Sequence, residues 1–503
     1  MRAAQLHRAG KLGEALAAYR QALDLDPRES RAMFGAGQVL AQQGRLDPAI
    51  EMLRKSISID RTDVRRHVAL ADMLYMSGRS NEAITAAETA LEVDRRTPMA
   101  HCVIAACLEQ RREYSEALRS VDRALALNAS DLHARLLRAR LLRRSKRFDE
   151  ALSVIDGVLE ATDSPPAALQ RGMHERGVIL DALDRTEEAF EAISDAGRVA
   201  MSLPIARQFD RGHWSRRLEQ YRTGLTPERL ARVESLELGD LETPAPSFLI
   251  GFPRSGTTMM EQALAAHPLI VSAEERPFIA ATREFALRRA GVGDDLPAFL
   301  DQLSADLVRD ARTFYWTQVE DWRGAPIEPE ERFLDKLPLN IVEAPFIASI
   351  FPDAKLLVAL RDPRDVCLSC FMQDFRINSS MINFVSLPRS VEYYTEVMGL
   401  WLQTREHLPA SYLEFRYEDT VVCFEEQIRR LLDFLGVSWS DEVMRFHERA
   451  ADRVISTPSF EAVAEPIHGR AVGKWRRYEK SFANSQESLR PFLAAFGYEG
   501  GSG

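Results

Sequence analysis

The sequence predicts a multidomain protein in which an all-α superhelix precedes an α/β domain with a parallel sheet and a phosphate-binding loop. Two observations lead to this prediction. A pattern of small and apolar residues recurs every 34 residues through about the first 200 positions, which is typical of stacked helix pairs. Farther along, short apolar runs alternate with helical segments, as in parallel sheets. We expect domains at 1–201 and 246–490, joined by a helical linker at 202–245.

The composition of the 503-residue chain is that of a globular protein, with 46% hydrophobic and 28% charged residues. The 65 Lys and Arg residues and the 75 Asp and Glu residues leave a net charge of −10, which disfavours a nucleic-acid partner. No apolar run approaches the roughly 20 residues that cross a bilayer, so no membrane span is expected. The five cysteines are too few for a secreted disulfide framework, which favours a cytoplasmic location.

The 34-residue period fixes several positions in each repeat. Glycines mark one of them, and small alanines mark another five residues later. These residues are Gly10, Gly44 and Gly78, then Ala15, Ala49, Ala83, Ala117 and Ala151. Alanine lets two helices pack closely, and glycine suits the left-handed end of a helix. The next alanine, Ala189, lies 38 residues after Ala151, so a sixth repeat carries a four-residue insertion near 164–167.

This array resembles tetratricopeptide repeats over residues 1 to about 200. The resemblance implies a surface for protein–protein interaction that holds an acceptor or a partner, or that mediates self-association. Only nine residues precede Gly10, where later repeats have a whole helix, so the first repeat is predicted to be truncated. We expect either that the native chain starts upstream or that a neighbouring molecule supplies the missing helix.

The second part begins with an apolar strand at 247–252, a glycine-containing loop and a helix. Backbone N–H groups and the helix dipole make such a helix N-terminus an anion site. Gly251 and Gly256 have the spacing of nucleoside-triphosphate loops, but two threonines stand where the lysine and hydroxyl residue of such loops would follow. Because that lysine clamps the outer phosphates beside magnesium, its absence favours a phosphorylated ligand bound without a metal ion.

Four motifs in this part resemble the sulfotransferases. The loop at 251–258 resembles their 5′-phosphosulfate loop, and the sequence LLVALRDPRDVCLS at 356–369 resembles their 3′-phosphate motif. The segments 415–437 and 472–480 resemble their late strand and helix and their closing basic loop. The resemblance implies 3′-phosphoadenylyl sulfate (PAPS) as sulfonyl donor, the 3′,5′-bisphosphate of adenosine (PAP) as product, an acceptor hydroxyl group, and no metal ion.

Within the family, the pattern is similar to that of tyrosylprotein sulfotransferases. By this resemblance Glu275 takes the acceptor proton, and three other residues stabilise the transferred group: Lys336, Arg254 and Ser459. The cofactor-binding residues that it implies are Arg254, Ser255, Gly256, Thr257, Thr258, Arg361, Ser369, Arg470 and Lys474. Two departures from the family pattern, Pro277 and Glu465, leave recognition of an acidic tyrosine peptide open.

The sequence leaves alternatives open for several residues, for the acceptor and for the function. The pair Cys367 and Cys370 lacks a second pair at zinc-ligand spacing, so no metal role is expected for it. Asp362 and Arg364 are expected to form a local salt bridge. The acceptor could be a protein, a saccharide or a small molecule, and the competing functions are a catalytically silent repeat scaffold with a nucleotide-sensing domain and a P-loop kinase.

Overall fold

The computed structural model describes residues 2–161, 164–239, 244–447, 467 and 469–499. The chain divides into two compact units, residues 1–199 and 200–503. The first unit is a succession of helices. Its helices are α1 (Arg2–Arg8), α2 (Leu12–Leu25), α3 (Ser30–Gln42), α4 (Leu46–Ile59), α5 (Val64–Met76), α6 (Ser80–Val93), α7 (Pro98–Gln110), α8 (Tyr114–Leu127), α9 (Leu132–Arg144), α10 (Phe148–Leu159), α11 (Pro166–Ala182) and α12 (Thr186–Ser202).

The glycines and alanines of the repeat have the backbone conformation and the burial that the sequence predicts. Gly10, Gly44 and Gly78 have left-handed φ angles of 73°, 77° and 77°, so the predicted left-handed helix ends are confirmed. Arg112 and Lys146 take the same conformation at the corresponding positions of later repeats. The alanines of the repeat are fully buried between helices: Ala15, Ala49, Ala83, Ala117, Ala151 and Ala189.

The extra residues of the sixth repeat lie in a helix. Helix α11 has 17 residues, whereas the equivalent α9 has 13. Pro166 begins α11 at the normal 34-residue interval from Leu132, but Ala182 ends it 38 residues after Arg144. Four added residues therefore lengthen the helix by about one turn. At the other end of the array, the seven-residue α1 packs its Ala3 against the cluster that contains Leu16.

The second unit contains one five-stranded sheet. Its strands are β1 (Ser247–Gly251), β2 (Ile270–Glu274), β3 (Arg332–Lys336), β4 (Lys355–Leu360) and β5 (Ser411–Arg416). The order is β2-β3-β1-β4-β5, and every pair is parallel, which confirms the predicted fold class. In register, Leu249 of β1 lies beside Lys336 of β3 on one side and Leu357 of β4 on the other. The connection from β1 runs to β2 on one side of the sheet, whereas the connection from β3 crosses β1 to β4 on the other side. Parallel sheets bind ligands in the crevice at the carboxyl ends of strands where the connections change side in this way.

Helices surround this sheet. The α-helices are α13 (His213–Gly224), α14 (Pro227–Leu230), α15 (Thr257–Ala265), α16 (Phe278–Ala290), α17 (Leu296–Asp301), α18 (Ala305–Arg323), α19 (Ala344–Ile350), α20 (Pro363–Phe371), α21 (Leu387–Thr404), α22 (Tyr417–Val422), α23 (Phe424–Leu435) and α24 (Gln486–Ala495). Short 3₁₀ helices span Ala206–Gln208, Ala231–Ser235, Pro338–Ile341, Met381–Phe384, Arg405–His407, Asp441–Arg445 and Lys474–Phe482. In the part of the chain that the structure describes, no helix combines the length and apolarity needed to cross a bilayer.

The helices at 213–230 pack against the sheet domain through side chains. Tyr221 of α13 is buried, and its hydroxyl oxygen accepts a hydrogen bond from Arg283 Nε at 3.0 Å. Arg283 also pairs with Glu343 at 3.2 Å. Thr226 Oγ1 accepts from the Arg229 backbone N–H at 3.4 Å and caps α14, where Pro227 occupies the first turn. The helices at 213–230 therefore pack as part of the second unit.

Candidate functional site

The loop between β1 and α15 is packed too tightly for side chains at two positions. A Cβ atom on Gly251 would lie 2.6 Å from the backbone oxygen of Ala359. Gly256 has a φ of +90°, and a Cβ atom there would lie 2.6 Å from the Tyr417 ring. Both positions thus require glycine, and the loop delivers Thr257 to the first turn of α15. The N–H groups of this turn are those at which the sequence predicts an anion site.

Arg254 lies in this loop with a left-handed φ of 72°, which is unusual for a residue with a long side chain. Its Nε donates to Ser369 Oγ at 3.1 Å, so α20 and the loop meet through this pair. Burial lowers the pKa of the Arg254 guanidinium, and the nearby charge of Arg361 acts in the same direction. Two like charges held together at a helix N-terminus form a site suited to an anion.

Arg361 follows β4 directly and connects three segments. Its Nη1 donates to the backbone oxygen of Arg254 at 3.0 Å, and its Nη2 donates to that of Ala471 at 2.6 Å. The guanidinium carbon lies 5.0 Å from the centre of the Tyr417 ring. Its Nε is buried and has no acceptor within the described residues, so one donor of this buried cation remains for a ligand.

The basic loop is fastened to the start of α20. Asp365 accepts hydrogen bonds from the backbone N–H groups of Gly473 at 2.6 Å and Trp475 at 2.8 Å. Arg364 lies 3.7 Å above the Trp475 ring and forms a 2.6 Å ion pair with Asp362, which confirms the expected local salt bridge. These contacts place the segment that carries Arg470 and Lys474 beside Arg361. Arg470 is exposed and Lys474 half-buried.

Lys336 and Glu275 form an ion pair at the adjacent strand ends. Lys336 is the last residue of β3, and its fully buried Nζ lies 2.9 Å from Glu275 Oε1. Glu275 follows β2 with a left-handed φ of 46°, and its N–H donates to the Lys336 backbone oxygen at 2.9 Å. This hydrogen bond continues the ladder between β2 and β3, so the backbone orients the carboxylate. The Glu275 side chain stays 42% exposed and can reach an incoming group.

A second carboxylate, Glu261 of α15, contacts the same ammonium. Its Oε2 lies 3.0 Å from Lys336 Nζ, and its Oε1 accepts from Ser272 Oγ at 2.7 Å. Burial raises the pKa of Glu261 to about 6, although the charge of Lys336 opposes this shift. Burial alone would lower the pKa of Lys336, but the charges of Glu261 and Glu275 outweigh it and raise that pKa above its usual value. The sequence motifs did not identify Glu261.

One signal could have identified it. Glu261 follows Thr257 by four residues and precedes Leu264 by three, so helical periodicity places its carboxylate on the buried face that carries both. A buried carboxylate needs a cationic or hydrogen-bonding partner.

The predicted residues therefore fall into two neighbouring groups, plus one that lies outside the described residues. The anion group contains Arg254, Ser255, Gly256, Thr257, Thr258, Arg361 and Ser369, with Arg470 and Lys474 on the adjoining loop. The second group contains Glu275 and Lys336, to which the structure adds Glu261. Ser459 lies outside the described residues. Within those residues no three His, Cys, Asp or Glu side chains are placed to hold a metal ion, and Cys367 and Cys370 are buried.

Fold and site together define an α/β domain whose central strand leads into a phosphate-type loop with basic side chains around it. Comparison with known proteins specifies the class. Residues 246–441 match the model of the sulfotransferase family, residues 4–63 match tetratricopeptide repeats, and residues 76–158 match a model described as anaphase-promoting complex, cyclosome, subunit 3. Residues 246–441 thus form a sulfotransferase-family domain, and the N-terminal part of the chain is a tetratricopeptide-repeat array.

Individual relatives are distant. An uncharacterised protein of Aquifex aeolicus is 30% identical over 49% of this chain and 32% of its own length. A protein-tyrosine sulfotransferase of Drosophila melanogaster is 26% identical over 50% of this chain and 51% of its own length. The chain thus spans about a third to a half of these curated relatives. Among solved structures, a thermophilic repeat protein of Thermus thermophilus is 22% identical over 36% of this chain and 95% of its own, with a TM-score of 0.31.

Proposed function

We propose that the second unit transfers the sulfonyl group of PAPS to an acceptor hydroxyl group, with protein tyrosine as the first candidate acceptor. The observation that carries this proposal is the arrangement at the sheet edge. A helix N-terminus and two arginines, Arg254 and Arg361, follow β1 and β4, and a carboxylate–ammonium pair lies at the ends of the neighbouring β2 and β3. A phosphorylated donor and a group able to take a proton are what sulfonyl transfer to a hydroxyl requires.

The anion site fits the two phosphate-bearing ends of this donor. The loop backbone and the hydroxyls of Thr257 and Thr258 offer neutral donors at the N-terminus of α15. Arg254, Arg361 and Ser369 converge from the other side of the loop. A guanidinium matches the geometry of phosphate oxygens, and the buried Nε of Arg361 has no acceptor among the described residues. Ser255, Gly256, Arg470, Lys474 and Ser459 complete the proposed donor site.

The carboxylate–ammonium pair fits the acceptor chemistry. Bound PAPS supplies an activated sulfonyl group and a bisphosphate leaving group. The half-exposed Glu275 carboxylate takes the proton of the acceptor hydroxyl, a role that typically contributes 10²–10⁴-fold to rate. Lys336 holds a positive charge in a buried position, where a fixed charge stabilises developing negative charge more strongly than it would in water.

The repeat array is assigned to the acceptor or to a protein partner, including a second copy of the chain. Helices α3, α5, α7 and α9 line a cavity of about 840 Å³ within this unit. Its walls include the apolar Val68 and Val103 and the carboxylate of Asp72. Helical repeat arrays bind their partners through extended concave surfaces of this kind. We place the reaction in the cytoplasm, where the five free cysteines would remain reduced.

Ligand binding separates this function from a P-loop kinase. We predict that adenosine 3′,5′-bisphosphate at micromolar concentration raises the Tm of the protein, because ligands that bind only the folded state stabilise it. ATP with magnesium should leave the Tm unchanged, since Thr257 stands where the loop lysine would clamp the outer phosphates. Differential scanning fluorimetry measures both. A higher Tm with ATP and magnesium, but not with the bisphosphate, would favour the kinase.

A silent nucleotide sensor would bind the same bisphosphate, so turnover must decide the remaining alternative. Transfer of ³⁵S from labelled PAPS into fractionated lysate, followed by mass spectrometry of the labelled product, identifies the acceptor. Labelled protein hydrolysed to sulfotyrosine would establish the tyrosine acceptor, whereas label in saccharide or small-molecule fractions would replace it.

A further inference from the structure

Glu261 contacts the Lys336 ammonium from a buried position. Its side chain is 2% exposed, compared with 42% for Glu275, so only Glu275 can meet an acceptor directly. Ser272 of β2 donates to Glu261 Oε1 at 2.7 Å, and this leaves Oε2 for Lys336 Nζ at 3.0 Å. The rotamer of Glu261 is thus fixed by a strand and a helix of the rigid domain.

An ammonium group has three N–H donors. Lys336 Nζ donates one of them to Glu275 Oε1 at 2.9 Å, and Glu261 Oε2 lies 3.0 Å from the same nitrogen as an ion pair. We propose that Glu261 is a positioning residue that holds the Lys336 ammonium in place and shares its charge, so that Glu275 remains able to take a proton. This inference rests on the proposed sulfonyl transfer for its kinetic consequence.

The charge of Glu261 matters because one lysine faces two carboxylates. With Glu261 ionised, both carboxylates attract the Lys336 ammonium, and it stays protonated despite complete burial. With Glu261 neutral, the whole interaction falls on Glu275. An exclusive ion pair lowers the proton affinity of that carboxylate and weakens it as a base.

The pH range follows from the groups that surround Glu261. Within the described residues, those that act on it electrostatically are Lys336, Glu274 and Asp335. Glu261 has a pKa of about 6, so it is ionised above pH 6 and becomes neutral below it. Burial raises the pKa of Asp335 to about 7, and the charge of Glu261 acts in the same direction, so Glu261→Gln also moves the titration of Asp335 to lower pH. The pKa of Lys336 is therefore measured beside the kinetics.

The kinetic test compares wild type with Glu261→Gln, which keeps an acceptor oxygen for Lys336 and removes the charge. We expect kcat to fall about tenfold at pH 8 with an unchanged KM for PAPS. The ratio of the two kcat values should shrink towards 1 at pH 5, where wild-type Glu261 is itself neutral. A ratio that is constant with pH, or equal to 1 throughout, would overturn the positioning role. The exposed Glu284→Gln, on α16, serves as a control and should match wild type.

A second measurement does not depend on activity. The pKa of Lys336 can be read from the ¹³Cε resonance of labelled lysine, assigned through Lys336→Arg. Glu261→Gln should lower the pKa of Lys336 relative to wild type, whereas Glu284→Gln should leave it unchanged. An unaltered pKa of Lys336 in Glu261→Gln refutes the inference even if sulfonyl transfer is found. Absence of transfer by wild type, with the pKa shift present, would instead refute the proposed function alone.

Discussion

The backbone conformation of Gly256 shapes the loop of the candidate anion site. Its φ of +90° lies in a region that residues with side chains rarely adopt, and the Tyr417 ring fills the space where a Cβ would stand. Tyr417 also lies against Arg361, so a displaced ring would disturb the guanidinium as well as the loop. The glycine therefore protects the geometry of the loop and of the arginine together.

Replacing this glycine should damage binding more than folding of the rest of the domain. We predict that Gly256→Ala weakens the affinity for adenosine 3′,5′-bisphosphate at least tenfold and lowers the free energy of unfolding by about 1–3 kcal/mol. Isothermal titration calorimetry and urea unfolding measure the two effects. Gly399→Ala is a matched control in α21, because the nearest atom to its added Cβ, on Phe492, is 3.9 Å away. Similar losses in both variants would contradict the argument.

Sequence alone could predict the candidate site residues that belong to linear motifs. Arg254, Arg361 and Ser369 stand beside strands and glycines whose order along the chain carries the information. The meeting of Glu261 with Lys336 could not be predicted in the same way. It depends on the parallel register of β2 beside β3 and on the packing of α15 over them, which join residues 75 positions apart.

At the scale of the element, the repeat helices depend on small buried side chains. Ala117 of α8 is fully buried within a cluster that includes Val121 and Leu141. Such contacts have the packing density of a crystal, so added methyl groups have no free space to occupy. The strict alanine period of the sequence reports this close approach and made the array predictable.

An enlarged side chain should therefore unfold the array more readily. We predict that Ala117→Leu lowers the free energy of unfolding by about 1–3 kcal/mol through overpacking. Urea unfolding followed by circular dichroism at 222 nm detects the loss. Glu116→Ala, one residue away and 57% exposed, should unfold at nearly the wild-type urea concentration. Unfolding of both variants at the same urea concentration would contradict overpacking at Ala117.

The lengthened helix α11 marks where periodicity stops being informative. The count between Ala151 and Ala189 shows that four residues are added, but the count alone cannot say whether they form a loop or a helix. The structure places them in the helix as about one turn. Pro166 in the first turn is compatible with this, because proline removes an N–H that has no intrahelical partner there.

In the whole molecule, the average charge of the chain differs from the charge of the basic side chains near the sheet edge. The net charge of −10 disfavours a nucleic-acid partner, yet Arg254, Lys336 and Arg361 all lie at the carboxyl ends of strands of one sheet. Fold class could be predicted because each unit has its own periodicity: 34 residues in the first, alternating strands and helices in the second. The identity of the acceptor could not be predicted from sequence, because acceptor pockets are shaped by connections between motifs.

We propose that the residues at the carboxyl edge of the sheet perform sulfonyl transfer, with Glu275 as base. The most direct test of this claim is the transfer of ³⁵S from labelled PAPS by wild type and by Glu275→Gln, with bisphosphate affinity measured in parallel. We predict labelled acceptor with wild type, a loss of at least about 100-fold in kcat with the variant, and an unchanged affinity for the bisphosphate. Failure of wild type to label any acceptor class, or equal turnover by Glu275→Gln, would contradict the claim.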